Sequence, residues 1–426
     1  MKRSDFLVGG ASIPMLTPHL ALAAPGAVVG AKVPVTGKAI AQLQSFDRFM
    51  LTFMKRFSIP GGQCAVARNG RLVYARGFGY ADQLLTTPVS PTALFRIASS
   101  SKPITAVAIM KLVEDGKLGL EERAFEILGD LTPPPGTTRD PRLATITVRH
   151  LLEHSGGFDS TIFEPQFDGL RVAADAFGHP RPATSTDLIR YMMGQPLAFD
   201  PGSKYSYSNF GYNCLGRIIE RKTKQSYGDH VIAAILRPAG VRTMSLMTRT
   251  SPSYRLPNEV FYADGDLSTT QWPIYQDDAH VRPISYGAFD GSAIDAHGGW
   301  IANTIDLTHF LNAVAGSTGV QLLAPPTVRE MLTRPAIPQY AKTNKFYALG
   351  WDVSRDVVMS HNGALTFGTL SSVTRLPGGI TFAAVFNHLD INYIATVIAL
   401  ERGSLAVSRG IKSWPTHDLY PTVSIT

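Results

Sequence analysis

The chain has 426 residues, 44% hydrophobic and 17% charged, enough for a large core and incompatible with an intrinsically disordered protein. Lys and Arg outnumber Asp and Glu by 40 to 33, a net charge of +7, yet the basic residues are scattered without runs or aromatic interleaving, which excludes a nucleic-acid-binding reading. The two cysteines, Cys64 and Cys214, are too few for a cysteine-based metal cluster and read as buried thiols.

In chain order, residues 1–23 read as an export signal. Lys2 and Arg3 form a basic start, Phe6 to Leu22 is mostly apolar, and Ala21-Leu22-Ala23 precedes Ala24-Pro25 like a signal-peptidase site. This places the protein in the periplasm or outside the cell. Residues 24–37, rich in Ala, Pro, Gly and Val, read as a linker. No other segment reaches the roughly 20 apolar residues that span a bilayer. Lys38 to Ser58 has helical period and ends before Pro60-Gly61-Gly62. Cys64–Arg68 and Leu72–Gly77 are β-rich runs joined by Asn69-Gly70, a hairpin signal. From Ser99 to about Gly299 the pattern is helical, broken by polar and Pro-rich loops at 132–140 and 159–182.

Strands return at Phe346–Val353, Val357–Ser360, Gly368–Arg375 and Ile380–Asn387, with Pro377-Gly378-Gly379 as a turn, and Asn392–Ala406 closes the chain as a helix. Strands at both ends around a helical middle predict an α+β fold. Segments 38–98 and 297–415 form one antiparallel sheet flanked by the terminal helices. Segment 99–296 forms a mainly helical second lobe, with the active site in the cleft between.

The chemistry concentrates in three clusters. In Phe95-Arg96-Ile97-Ala98-Ser99-Ser100-Ser101-Lys102, a serine precedes a lysine by three residues where an apolar run turns into a helix, Thr105–Val113. Positions i and i+3 share a helix face, so the Lys102 amine can reach the Ser99 hydroxyl. A serine needs a nearby base, and a lysine serves only if its pKa is lowered. The helix N-terminus favours negative charge developing at Ser99. Alone, this spacing also describes a capping serine followed by a surface lysine.

The second cluster, Pro201-Gly202-Ser203-Lys204-Tyr205-Ser206-Tyr207-Ser208-Asn209, is a turn leading into a helix from about Phe210 to Lys222. Tyr207 and Asn209 can face one cavity, and a phenol beside an ammonium is expected to lose its proton more easily than usual. The third, Ser360-His361-Asn362-Gly363-Ala364, lies on a predicted strand whose edge can supply a backbone N–H to an oxyanion hole, with Gly363 permitting close approach.

Together these clusters resemble the serine β-lactamase-like hydrolases, which comprise class C β-lactamases, low-molecular-mass penicillin-binding proteins and family VIII carboxylesterases. The resemblance runs from the hairpin at Cys64 to the last helix. It includes Val148-Arg149-His150-Leu151-Leu152-Glu153-His154-Ser155-Gly156-Gly157, Gly298-Gly299-Trp300 and Asp306-Leu307, all in the expected order. It implies that Ser99 is the acyl-enzyme nucleophile and that Lys102 and Tyr207 act as a coupled base pair. It also implies that Asn209 orients Lys102 and contacts the acyl group of the substrate, and that the N–H groups of Ser99 and Ala364 form the oxyanion hole, with His361 and Gly363 completing the substrate-binding strand. No cofactor or metal is called for.

The third motif departs from the Lys-Thr-Gly of β-lactamases, because the position of the lysine that attracts a substrate carboxylate holds His361, mostly neutral at pH 7. The expected activity is therefore hydrolysis of small-molecule esters, ahead of β-lactam, D-aminopeptide or other amide hydrolysis.

Two rival readings come with the sequence. His150-Leu151-Leu152-Glu153-His154 fits the inverted zincin pattern, with Glu220 as a conceivable third ligand. A binding protein without catalysis is the other. Phe158, Phe163, Phe167, Trp272, Tyr275 and Trp300 are candidate pocket aromatics, and Asp290, Asp295 and His297 candidate polar groups of the cleft.

Overall fold

In a computed structural model of the chain, the described residues are 32–166, 169–263, 270–271, 274–277, 282–365, 368–389 and 393–422. The export signal read over 1–23, residues 24–31 of the linker, Phe167 and Trp272 lie outside them.

Eight strands form one antiparallel sheet. They are β1 (Val35–Thr36), β2 (Gly61–Arg68), β3 (Arg71–Gly79), β4 (Lys345–Tyr347), β5 (Asp352–Ser354), β6 (Val357–Leu365), β7 (Thr369–Leu376) and β8 (Ile380–Phe386), in the order β1-β3-β2-β8-β7-β6-β5-β4. The β2–β3 hairpin turns at Asn69 and Gly70, both with positive φ (48° and 79°), as its Asn-Gly sequence dictates. The central strand β8 pairs β2 to β7 and so joins the two ends of the chain. Every residue of β8 is buried, which explains why Ile-Thr-Phe-Ala-Ala-Val-Phe shows no polar face. Two expectations need correction. The end of the predicted linker is strand β1, and the predicted single strand Phe346–Val353 is the hairpin β4–β5, bent at Gly350.

One face of the sheet is covered by α1 (Gln44–Arg56) and the C-terminal helix (Tyr393–Gly410). Helix α1 buries Phe46, Met50, Phe53 and Met54, a 3.6-residue stripe. The other face carries α2 (Lys102–Glu114), α3 (Asn209–Thr223) and α4 (Thr304–Val314). Helix α2 is apolar on nearly every side because it runs through the core, buried among the other helices and the sheet.

A small second sheet joins segments far apart in the chain: Phe95–Arg96 and Ser245–Leu246 flank Trp300–Ala302. Cys64 and Cys214 are buried free thiols in different clusters of the core.

Candidate active site

Ser99 sits where the strand Phe95–Arg96 gives way to α2. Ile97 is held by its N–H to the Trp300 carbonyl at 3.0 Å, and Ala98 adopts φ +47°. That left-handed backbone is unusual for a residue with a Cβ and costs on the order of 1–3 kcal/mol. It turns the chain into the single 3₁₀ turn Ala98–Ser101 and leaves Ser99 only partly buried. Helix α2 then starts with Lys102 and Pro103, because proline is tolerated in a first turn, where its missing N–H would have no partner.

Lys102 is fully buried, and its Nζ has three neighbours: Ser99 Oγ at 3.0 Å, Asn209 Oδ1 at 2.6 Å and the His297 carbonyl at 3.0 Å. Burial holds the amine well below the ordinary lysine range, and the Glu164 carboxylate opposes this only in part. The geometry suits a neutral amine. Once deprotonated, the amine would spend its two N–H groups on the carbonyl and amide oxygens, which can only accept, and would direct its lone pair at Ser99.

Tyr207 shares a side-chain hydrogen bond with Ser99, and its ring centroid is 4.7 Å from Nζ. With Lys102 neutral, the protons align as Tyr207 O–H to Ser99 Oγ and Ser99 O–H to Lys102 Nζ. The expectation of an easily ionised phenol is overturned. Burial pushes Tyr207 above its ordinary value, and the same burial disfavours the Lys102 ammonium that would have compensated it.

Asn209 is the first residue of α3, whose cap is Ser208, its hydroxyl accepting from Gly211 N–H at 3.2 Å. That leaves the Asn209 side chain free for the site. Its Nδ2 donates to Glu164 Oε2 at 3.0 Å.

Strand β6 passes directly against the Ser99 turn. Its pairing with β5 stops at Ser360, whereas its pairing with β7 continues to Leu365. Residues 361–365 therefore leave one backbone edge unpaired by any strand among the described residues. A side chain at Gly363 would collide with the Ile97 carbonyl and Ser371 Oγ and lie 2.9 Å from Ser100 N, so only glycine fits. Ser371 Oγ donates to the Ile97 carbonyl at 2.6 Å and meets Ser100 Oγ at 2.8 Å, fixing strand to turn. Ala364, the next residue along this edge, is partly exposed.

His361 is buried and both ring nitrogens are engaged. Nδ1–H donates to the Asn362 carbonyl at 2.7 Å, so Nε2 accepts from Tyr347 O–H at 3.0 Å. Burial lowers its pKa to about 3. It presents no free nitrogen to a ligand, so the contact with substrate expected from its motif position is replaced by support of Tyr347.

The inverted zincin arrangement is not assembled. The helix over Val148–Leu152 ends before His154, whose φ is +59°, so the two histidines do not share a helical face. His150 Nδ1 accepts from Thr147 N–H, and His154 Nδ1 accepts from Ser208 N–H at 3.1 Å. Glu153 accepts from Ser155, and Glu220 binds Arg217 and the Tyr227 N–H. His154 instead packs between Tyr207 and Tyr347, ring centroids 4.4 and 4.5 Å away, and burial keeps it neutral.

The predicted pocket aromatics mostly serve elsewhere. Trp300 and Phe158 are core, and Phe163 contacts Tyr191. Tyr275, Asp290 and Asp295 line a separate cavity of about 510 Å³, and Asp295 binds Arg217 at 2.6 Å. His297 contributes its backbone carbonyl, which no side-chain pattern reveals. Glu164 was missed altogether. The available signal was an acid set between Phe163 and Pro165 in a segment otherwise read as loop.

The Beta-lactamase family matches residues 46–393, a span that includes all three clusters. The chain belongs to the Beta-lactamase family. Among relatives, the Escherichia coli (strain K12) protein described as a "Putative D-alanyl-D-alanine carboxypeptidase" is 26% identical over 399 residues, 87% of each chain. The D-amino acid amidase of Ochrobactrum anthropi SV3 has a similar structure. Its TM-score is 0.64, with 22% identity over 87% of this chain and 99% of that one. EstCE1, described as a hydrolase with promiscuous acyltransferase activity, gives a TM-score of 0.64, with 20% identity over 88% of this chain and all of that one. Like its Beta-lactamase-family relatives, the chain is a serine hydrolase with a mixed α+β fold. No helix among the described residues is long and apolar enough to cross a membrane.

Proposed function

We propose that the protein hydrolyses small neutral carboxylic esters through an acyl-enzyme on Ser99. The observation that carries the reading is the environment of Lys102, a buried amine with two N–H groups taken and its third direction on Ser99 Oγ. The Ser99 proton passes to Lys102 as the Oγ–carbon bond forms. The ester carbon–oxygen bond then breaks, the leaving oxygen takes the Tyr207 proton, and Tyr207 recovers one from Lys102. Water attacks the acyl carbon and its proton passes to the same pair; the Oγ–carbon bond then breaks, releasing the carboxylic acid, and Lys102 returns a proton to Ser99 Oγ. The Ser99 N–H and the open edge of β6 at Ala364 serve the oxyanion.

Preference for esters follows from charge. The third motif offers no cation, because His361 is neutral and occupied. The Glu164 carboxylate, one side chain removed from Lys102, further disfavours an anionic substrate. Esters also ask less of the second proton transfer than amides do. The basic, apolar pattern of residues 1–23 supports an exported protein.

The test is a kinetic comparison of p-nitrophenyl esters, D-amino-acid amides, D-aminopeptides and cephalosporins, with Ser99→Ala as control. Short-chain esters should show the highest kcat/KM. Faster turnover of D-amino-acid amides would move the assignment to the activity named for the Ochrobactrum protein, and fast cephalosporin turnover without ester turnover would refute it.

A further inference from the structure

We propose that Glu164 is a positioning residue for this reaction, fixing the direction of the Asn209 amide and thereby keeping a lone pair of Lys102 on Ser99. The inference rests on the acyl-enzyme reading above. Glu164 comes from the segment after Phe158, remote in sequence from all three motifs, and is 8% exposed. Its carboxylate can only accept hydrogen bonds, so only the NH₂ end of Asn209 can face it, at 3.0 Å. The other end, Oδ1, must then face Nζ, at 2.6 Å. An Asn209 turned the other way would set its oxygen against the carboxylate and its NH₂ against the amine. The two ends of an amide are nearly equal in shape, so sterics alone do not choose between these orientations. The carboxylate does.

The same charge has a second, opposite effect, because it favours the ammonium form of Lys102 against the stronger effect of burial. The other groups around Nζ do not share this influence. Burial holds His154, His297 and His361 in their neutral forms and Tyr207 as the phenol, and Tyr212 offers only a ring face at 5.7 Å. Glu164 is thus the group whose replacement should separate orientation from charge. It reaches Ser99 through Asn209 and Lys102, so its effect is indirect.

The readout is the pH dependence of Ser99 labelling by a fluorophosphonate, together with kcat and KM on a p-nitrophenyl ester. Glu164→Gln keeps an oxygen that can accept from Asn209 but removes the charge. The acid limb of labelling should move to lower pH by about one unit, with the plateau within a few-fold of wild type. Glu164→Ala removes both, and kcat should fall roughly 10- to 100-fold with KM little changed. In an Asn209→Ala background, Glu164→Ala should cost little more, since the second residue acts through the first.

A merely structural role for Glu164 would lower the melting temperature without moving the acid limb, and its loss would add to that of Asn209. Those two results would overturn the inference while leaving the acyl-enzyme reading intact. Failure of the probe to label Ser99 in the wild-type protein would overturn both.

Discussion

The Nζ of Lys102 stands 3.0 Å from the Oγ of Ser99, in a pocket where its other two directions end on oxygens that can only accept. A lysine in this position works only by losing a proton. Lys102→Arg keeps a cation and several donors but cannot be deprotonated. It should lower kcat by 10²–10⁴, with the fold retained, as read by ester turnover alongside circular dichroism. For the wild-type protein, kcat/KM should fall with decreasing pH as the amine becomes protonated. That limb should lie well below the ordinary lysine range.

Tyr207→Phe removes the only proton that Tyr207 can give while keeping the ring that packs on His154. A decrease of 10²–10⁴ in kcat with a near-normal melting temperature is the expected result. Esters with better leaving groups should be affected less, because they depend less on protonation. A uniform effect across leaving groups would remove Tyr207 from that step.

Gly363→Ala brings a methyl group into the Ile97 carbonyl and Ser371 Oγ, both fixed parts of the site. Strand and turn must separate to admit it. Activity should drop at least 10²-fold, and stability by about 1–3 kcal/mol, measured by urea unfolding. An active, fully stable variant would show that β6 does not need to approach Ser99 so closely.

His361 gives a pH signature in stability rather than in catalysis. Its pKa is about 3 when folded, against about 6.5 for an unperturbed histidine. The unfolded chain therefore binds the extra proton first. The stabilisation is complete above about pH 6.5 and is lost as pH falls toward 3, at about 1.4 kcal/mol per pH unit. His154 and His297 act in the same direction. The difference in urea stability between wild type and His361→Gln should isolate the single-residue slope, and parallel curves would contradict it.

Much of this site was legible because its parts are local patterns. A serine and a lysine one turn apart, a capped helix starting at Asn209 and an Asn-Gly hairpin are each dictated by short-range chemistry. The helix α2 and the strands around Gly363 followed from periodicity. Three features were not legible. The His297 carbonyl is backbone and carries no residue signature. Glu164 reaches Asn209 across 45 positions of chain through a loop without period. The neutral state of Tyr207 depends on burial by His154 and Tyr347, which only tertiary packing supplies. The same packing turned His150 and His154, a plausible zinc pair on one helix, into a capping residue and an aromatic spacer.

The most direct test of the central claim is to quench the enzyme during turnover of a slow ester and locate the acyl group by peptide mass spectrometry. The account predicts one acyl group, on Ser99, absent from Ser99→Ala and accumulating in wild type in step with the burst of alcohol release. An acyl group on any other residue, or one that persists in Ser99→Ala, would contradict it.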